Sequence, residues 1–420
     1  MDDYILIVGG DVTLRERTFA GALRAASGKP VLTVCKNLES PGLRFFDGLI
    51  YSDIADHETI IEEVEKFAKA TGAKPCAVVP TNDFTVTSSA KVAEHFGLTR
   101  NSARTVEMCR DKYAMKKAFA EAGIPVPKFR GFSTYEEVQE FIHEFTFPIV
   151  IKPRQMAGSL GVIKVDRLED LEAAYVQSVQ DVLSFNGQAY SPEDIFQIEE
   201  YIDFEFEVSV EVLHYQGQRA VLAVTDKQLG SEPHFVELGH VVPSVHSSNQ
   251  TLIDCALRAC EVLGIEYGMA HFEAKVSRSG EVKVIEVAAR TGGDAIMDLI
   301  SDVYGVNPYE LHVRSYLGAE PDFPQRPAAG VAAIAFLKAP LGTVAKVDRS
   351  SELLTAPDVR SYSVTAKAGD FIKPLTSWLE REGFVRLYWP DDSTAGRSEP
   401  TDKGLRRARE ISNEIFVMTE

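Results

Sequence analysis

The chain has 420 residues, 45% hydrophobic and 25% charged, a globular composition in a chain too long for a single core, so two to four domains are expected. Lys and Arg number 44 against 62 Asp and Glu, a net charge of −18 with no basic tract. That balance argues against nucleic acid or an anionic membrane as the main partner, while one local cluster of Lys and Arg still suffices for a small polyanion.

The N-terminus runs from Met-Asp-Asp straight into the apolar Tyr-Ile-Leu-Ile-Val, with no basic segment before it, and no apolar stretch reaches about 18 residues. A cytoplasmic protein is predicted. Five cysteines (35, 76, 109, 255 and 260) form no C-x-x-C pair and read as free thiols in a reducing compartment.

Residues 1–105 alternate short apolar runs (Ile5–Val8, Pro30–Cys35, Gly48–Tyr51, Cys76–Val79) with helical periodicity over Leu14–Ala26, His57–Thr71 and Phe84–Phe96. This predicts a parallel, Rossmann-like sheet. Gly9-Gly10 lacks the G-x-G-x-x-G spacing of a dinucleotide fingerprint and reads as a tight turn. One helix is expected over Ser102–Glu121, where Lys112 alone reads as a solvated helix residue, and Gly123-Ile-Pro-Val-Pro marks a boundary.

A small α/β unit follows, with a helix over Thr134–Glu144 capped by Ser133, a strand Pro148–Ile151 ending at Lys152-Pro153, the turn Gly158-Ser159-Leu-Gly161, and a strand Val162–Val165. A lysine at the carboxyl end of an apolar strand, with a glycine turn within six residues, suits a polyphosphate: the ammonium is a point charge and turn N–H groups nest oxygens. No G-x-x-x-x-G-K-[ST] is present, so this is not a P-loop.

Next, Glu199-Glu-Tyr201-Ile202-Asp-Phe-Glu-Phe-Glu207 combines apolar alternation with acidity. Two readings stand: an edge strand with a charged outer face, or a linker strand offering a base slot and a carboxylate for ribose hydroxyls. Phe235-Val-Glu237-Leu-Gly-His240 is either a surface loop or a pair that holds an ammonium and steadies an oxyanion.

The stretches Gly268–Val276 and Glu281–Arg290, around a turn ending in Gly280, predict a hairpin that sets Glu286 opposite or nearly opposite Glu273, roughly 5–8 Å away. Like charges so placed repel, and buried carboxylates must be paired or bind metal. Two hard oxygen ligands suit Mg²⁺. His271 shares the strand face of Glu273 and reads either as second to the metal or substrate or as a core histidine. Beyond about residue 330 the pattern restarts with Val331–Leu337, Trp378–Gly383, Phe384–Tyr388 and a basic helix Asp402–Ile415, after the polar loop Asp391–Lys403.

In order, Asp111-Lys112, Ile151-Lys152-Pro, Gly158-Ser-Leu-Gly161, Glu199-Glu-Tyr-Ile, Glu207 and Glu273…Glu286-x-x-x-Arg290 resemble the ATP-grasp carboxylate–amine ligases over residues 1–330. Phe235–His240 and Gly268–Glu273 are most similar to those of the L-amino acid ligases, which make dipeptides.

The resemblance implies an α/β (α+β) ATP-grasp fold: a Rossmann-like pre-grasp domain (1–105), a connecting helix (106–127), a lid (128–200), a large subdomain with the metal site (201–330) and a C-terminal α+β domain (331–420). It implies ATP and Mg²⁺, with Mn²⁺ as a substitute, amino acids as substrates, and a homodimer. Lys112 and Lys152 would hold α- and β-phosphates, with Gly158, Ser159 and Gly161 over the γ-phosphate. Glu199, Tyr201 and Ile202 would take adenine, Glu207 the ribose, and Glu273 and Glu286 the metal. Arg290 would bind the moving phosphoryl group and the substrate carboxylate, and His240 would stabilise the acyl-transfer transition state. Glu237 would receive the substrate ammonium, with His271, Gly292, Gly293 and Asp294 beside it.

The chain departs from the family pattern in two places. Ala288 stands where many relatives carry an asparagine metal ligand, and Asp294 where some dipeptide-forming relatives carry a bulky aromatic, which implies a roomier, polar acyl pocket. The reaction implied is phosphorylation of an amino acid carboxylate and capture of the acylphosphate by an amine, in the setting of peptide antibiotic biosynthesis. The rivals are an ATP-grasp enzyme of purine metabolism (formate- or nucleotide-dependent) and a non-catalytic ATP-binding protein. Biotin carboxylase is disfavoured by length and the lack of a carrier motif.

Overall fold

A computed structural model describes residues 3–10, 16–184, 196–323, 326–390 and 402–419. The apolar runs Tyr4–Val8 and Val31–Cys35 are buried at every position, as strands covered on both faces must be. With Gly48–Tyr51 and Pro75–Val78 they make a four-stranded, wholly parallel sheet, in which Tyr4–Val8 lies between Val31–Cys35 and Pro75–Val78. Helices Glu16–Ser27, His57–Thr71 and Val86–His95 connect the layers, as the periodicity predicts. Gly10 is packed too closely for a ligand: a Cβ there would meet Thr33 Oγ1 at 2.4 Å. Past the carboxyl end of Pro75–Val78, where ligands gather in parallel sheets, the chain carries Asp83.

The single helix expected over Ser102–Glu121 is two, Ala103–Arg110 and Lys112–Glu121. Asp111 breaks it: its backbone is extended and its carboxylate accepts from the N–H groups of Tyr113 and Ala114, starting a new helix. This bend carries Lys112 inward. It is 8% exposed, so its reading as a solvated residue is wrong.

The small unit is an antiparallel sheet in the order Phe129–Phe132, Phe196–Glu200, Ile149–Pro153, Ile163–Val165. Its core includes Phe132, Val138, Phe141, Ile151, Val182 and Phe196, and takes in helices Tyr135–Phe141 and Leu171–Ser184. The cap of the first helix is Thr134, not Ser133: Thr134 accepts from Glu137 N–H, while the Glu137 carboxylate accepts from Ser133 N–H at 2.8 Å.

The main body is an eight-stranded antiparallel sheet in the order Val282–Ala288, Tyr267–Val276, Phe206–Tyr215, Gln218–Leu229, Glu237–Val242, Val331–Leu337, Gly383–Trp389, Val359–Val364. Phe206–Tyr215 is therefore a central strand, which removes the edge-strand reading of that acidic segment. Helix Gln250–Leu263 joins Val208, Phe272 and Val284 in one core. A second core joins helices Ile296–Tyr304 and Pro308–Tyr316 to Leu213, Ile334 and the N-terminal Ile5 and Phe19.

Residues after 330 do not stand apart. Three of their strands extend this same sheet, and only Gly342–Val347, Phe371–Ile372 and Phe416–Met418 form a separate small one. The basic helix is Lys403–Ile415. The polar loop expected before it lies, over 391–401, outside the described residues. All five cysteines are free. Among the described residues, no helix is long and apolar enough to cross a membrane.

Candidate active site

Strands Tyr267–Val276 and Val282–Ala288 pair with Glu273 directly opposite Glu286, and a register shift follows between Glu273 and Ala274. The turn closes at Gly280, whose φ of +89° favours glycine. Each carboxylate faces a different lysine. Lys227 Nζ donates to Glu273 Oε1 at 2.6 Å, and Lys112 Nζ lies 2.8 Å from Glu286 Oε2. Burial disfavours the Glu273 charge, but Lys227 and His271 outweigh it and hold the group well below the carboxylate range.

His271 bridges Glu211 (2.5 Å) and Glu273 (2.7 Å). Burial opposes its protonation, yet the two carboxylates raise it to about 9, so both ring N–H groups donate. It is a buried histidine tied to Glu273, not one isolated in an apolar core.

Lys152 and Lys116 both reach Glu199 Oε1, at 2.8 and 2.9 Å, and Gln197 Nε2 donates to the same oxygen at 2.6 Å. Lys116 is fully buried and also donates to Ile285 O at 2.6 Å. Burial pulls it down to about 8 against the attraction of Glu199. Lys112 further donates to Met156 O at 2.6 Å. Gly158 (φ +67°), Ser159 (+58°) and Gly161 (+72°) turn the loop above these lysines through left-handed backbone. Tyr201 donates to Glu232 at 2.8 Å and, with Ile202, lines the cleft.

Lys227 is the hub of the opposite wall. Only 3% of its side chain is exposed, and it lies 3.5 Å from Glu207, 3.2 Å from Glu237 and 2.6 Å from Glu273. Burial raises the Glu207 carboxyl despite Lys227 and Lys275. Arg290 Nε donates to Asp83 Oδ2 at 2.6 Å and Nη1 to Thr291 O at 2.8 Å, which ties the cleft to the N-terminal sheet. His240 Nε2 faces Asp294 Oδ2 at 3.3 Å, so here its ring is turned to that carboxylate rather than left open for an oxyanion.

Of the residues singled out in the sequence, nearly all line one cleft of about 310 Å³, a small-molecule size. Gly161 and Gly292 do not line it. Gly161 packs on Ser178 and Val182 of helix Leu171–Ser184, and Gly292 lies over the Glu211–His271 pair, where a Cβ would come within 3.1 Å of each. Sequence reasoning missed Asp83, Lys116, Lys227 and Arg381. Lys227 alone left a signal, a base beside Asp226 at the end of the apolar run Ala220–Val224.

The oxygen pair Glu273–Glu286 fits a magnesium ion. Two lysine ammonium groups occupy the position of the cationic charge, and a hard cation takes one or two carboxylates and completes its shell from water and phosphate. No cluster of three or more His, Cys, Asp or Glu suited to a metal occurs among the described residues, and Ala288 adds no donor.

A small sheet bearing Lys152, a large antiparallel sheet bearing paired glutamates, and a cleft between them lined with lysines have the layout of an ATP-grasp fold. The ATP-grasp domain family matches residues 145–298. The chain is similar to alanine–anticapsin ligase of Bacillus subtilis, 29% identical over 295 residues, 66% of this chain and 62% of that protein. It is also similar to the L-arginine-specific L-amino acid ligase of Bacillus subtilis, 21% identical over 336 residues, 77% of this chain and 79% of that one. Among solved structures, the L-amino acid ligase from Bacillus licheniformis superposes with a TM-score of 0.81 at 20% identity, over 100% of this chain and 99% of that one. The fold is thus that of the ATP-grasp L-amino acid ligases.

Proposed function

We propose that the protein is an ATP-dependent carboxylate–amine ligase. It phosphorylates the carboxylate of an amino acid or related acid and joins it to the amine of a second amino acid, giving a dipeptide or amide, ADP and phosphate. The observation that carries this reading is the convergence of Lys112, Lys152 and Arg290 on a cleft that also holds the opposed Glu273 and Glu286. The names of the relatives, which denote amino acid ligation, support it.

In this reading Lys152 and Lys112 bind phosphates. Lys112 exchanges Glu286 for a phosphate oxygen once that carboxylate serves the metal. Glu273 and Glu286 would hold Mg²⁺, or Mn²⁺ as a substitute, which would supply positive charge beside the transferring phosphoryl group. Tyr201, Ile202 and Glu199 form the adenine side, and Glu207 the ribose side. Glu237 takes the substrate ammonium, and Arg290 exchanges Asp83 for the carboxylate being activated. An acylphosphate is destroyed by water, so the loop 158–161 must cover it until the neutral amine attacks. Arg290 and His240, released from Asp294, then face the tetrahedral oxyanion. The five free thiols accord with a cytoplasmic setting, and alanine–anticapsin ligase suggests a role in antibiotic synthesis.

Purified protein with ATP, Mg²⁺ and pairs of amino acids should release phosphate only when both an acyl and an amine substrate are present, with the amide seen by mass spectrometry. Phosphate release that never needs an amine, or that needs a nucleotide amine instead, would overturn the proposal.

A further inference from the structure

Arg381 enters the cleft from the C-terminal part of the chain, just after the short turn Trp378–Glu380. Its Nη1 donates to Asp294 Oδ2 at 3.0 Å and its Nη2 to Glu237 Oε2 at 2.9 Å, and Nη2 also reaches the Glu237 carbonyl at 2.9 Å. The guanidinium lies 3.6 Å over the ring of Phe336. Only 8% of the side chain is exposed, and its Nε is buried without a partner. A planar fork held in this way fixes the position of both carboxylates.

The three groups differ in access. The Asp294 side chain is 32% exposed, against 14% for Glu237 and 8% for Arg381. Both Arg381 and His240 contact Asp294 through Oδ2, which leaves Oδ1 for a ligand. Asp294 and Ala295 are consecutive non-glycine residues at left-handed φ (+46° and +59°), a costly backbone that positions this carboxylate on the cleft wall.

Of the two acids at this end, Glu237 faces both Arg381 and the shared Lys227, whereas Asp294 faces Arg381 and His240 through one oxygen, so Asp294 is the carboxylate with an oxygen open to the cleft.

We infer that this end of the cleft selects an amino acid with a cationic side chain, an ammonium or a guanidinium. Glu237 takes the α-ammonium, Asp294 Oδ1 takes the side-chain cation, and Arg381 is the positioning residue that holds the two apart. The inference rests on the ligase reading. It gives the C-terminal part of the chain a task, to complete the substrate wall.

The test uses the full chain with ATP and Mg²⁺ and compares arginine with citrulline and lysine with norleucine, pairs that differ chiefly in charge. Each is offered with a common partner, and products are read by mass spectrometry. The cationic member should be preferred at least tenfold in kcat/KM. Asp294→Asn should collapse that ratio towards one, chiefly through KM. Arg381→Met should lower it and Arg381→Lys restore it in part. Asp294→Asn is isosteric and carries the test should Arg381→Met fail to fold. An unchanged ratio in Asp294→Asn, or a wild-type preference for neutral or acidic side chains, overturns the inference while leaving the ligase reading intact. If no pair gives an amide, that reading fails. Calorimetric binding of arginine against citrulline then decides the inference alone, equal affinities overturning it.

Discussion

Lys227 lies 2.6 Å from Glu273 and 3.2 Å from Glu237, so a single buried ammonium is shared between a carboxylate of the opposed Glu273–Glu286 pair and one of the proposed substrate end. It joins the two halves of the proposed reaction electrostatically, in a wall where the third acid is Glu207 at 3.5 Å.

Lys227→Met should leave three buried acids without their shared partner and cost about 3–5 kcal/mol of stability, the range for breaking a buried pair. Urea denaturation measures it. Added Mg²⁺ should raise the midpoint of the variant more than that of the wild type, because the ion replaces the missing charge beside Glu273. A loss under about 1 kcal/mol would mean that Lys227 does not neutralise the cluster.

Glu286→Gln should lower Mg²⁺-dependent phosphate release roughly 100-fold or more, since the second carboxylate charge of the proposed metal pair is lost while only a neutral amide oxygen remains. ADP binding without metal, read by calorimetry, should be retained, because Lys152 and the base-side residues are untouched. Unchanged turnover would remove Glu286 from the metal site.

Gly158→Ala should impair the loop in two ways. Its φ of +67° costs a β-carbon roughly 1–2 kcal/mol, and that atom would lie 2.6 Å from Trp378 Cδ1. A raised KM for ATP is the expected result. Combining it with Trp378→Ala should recover the steric part of the loss and not the backbone part. Additive losses in the double variant would mean that the ring does not pack on this loop.

Asp226 is 2% exposed, and burial raises its carboxyl to about 6, although Ser244 Oγ and Val245 N–H both bond to it. The folded state thus holds its proton up to a higher pH than the unfolded chain does. The cost of ionising it grows from about pH 4 to pH 6 and is complete above, about 3 kcal/mol. Asp226→Asn should remove this term, so its gain in stability over the wild type should open across that window and persist at pH 7.5. Thermal melts at pH 4.5 and 7.5 check it, and an equal difference at both values would contradict the burial effect.

Much of the site was legible because it is local. Glu273 and Glu286 are thirteen positions apart, and strand alternation with one turn sets their register. Lys152 at a strand end before a glycine turn, and the four parallel strands of the first hundred residues, are likewise patterns of neighbours. Asp111 was less legible: periodicity continues through it, and only its cap geometry reveals two helices.

What the sequence determined by itself was most of the order of strands and helices, the paired carboxylates and the lysine at the end of a strand in the small sheet. Only tertiary structure decided which charges meet: Arg290 finds Asp83 across 207 positions, Arg381 finds Glu237 across 144 and Asp294 across 87, and Lys227 finds Glu273 across 46. It also decided that strands after residue 330 extend the central sheet. The physical reason is that periodicity and turn chemistry act over a few residues, whereas a buried ion pair is chosen by the low-dielectric cleft that the packed sheets create, which leaves no local mark on either partner.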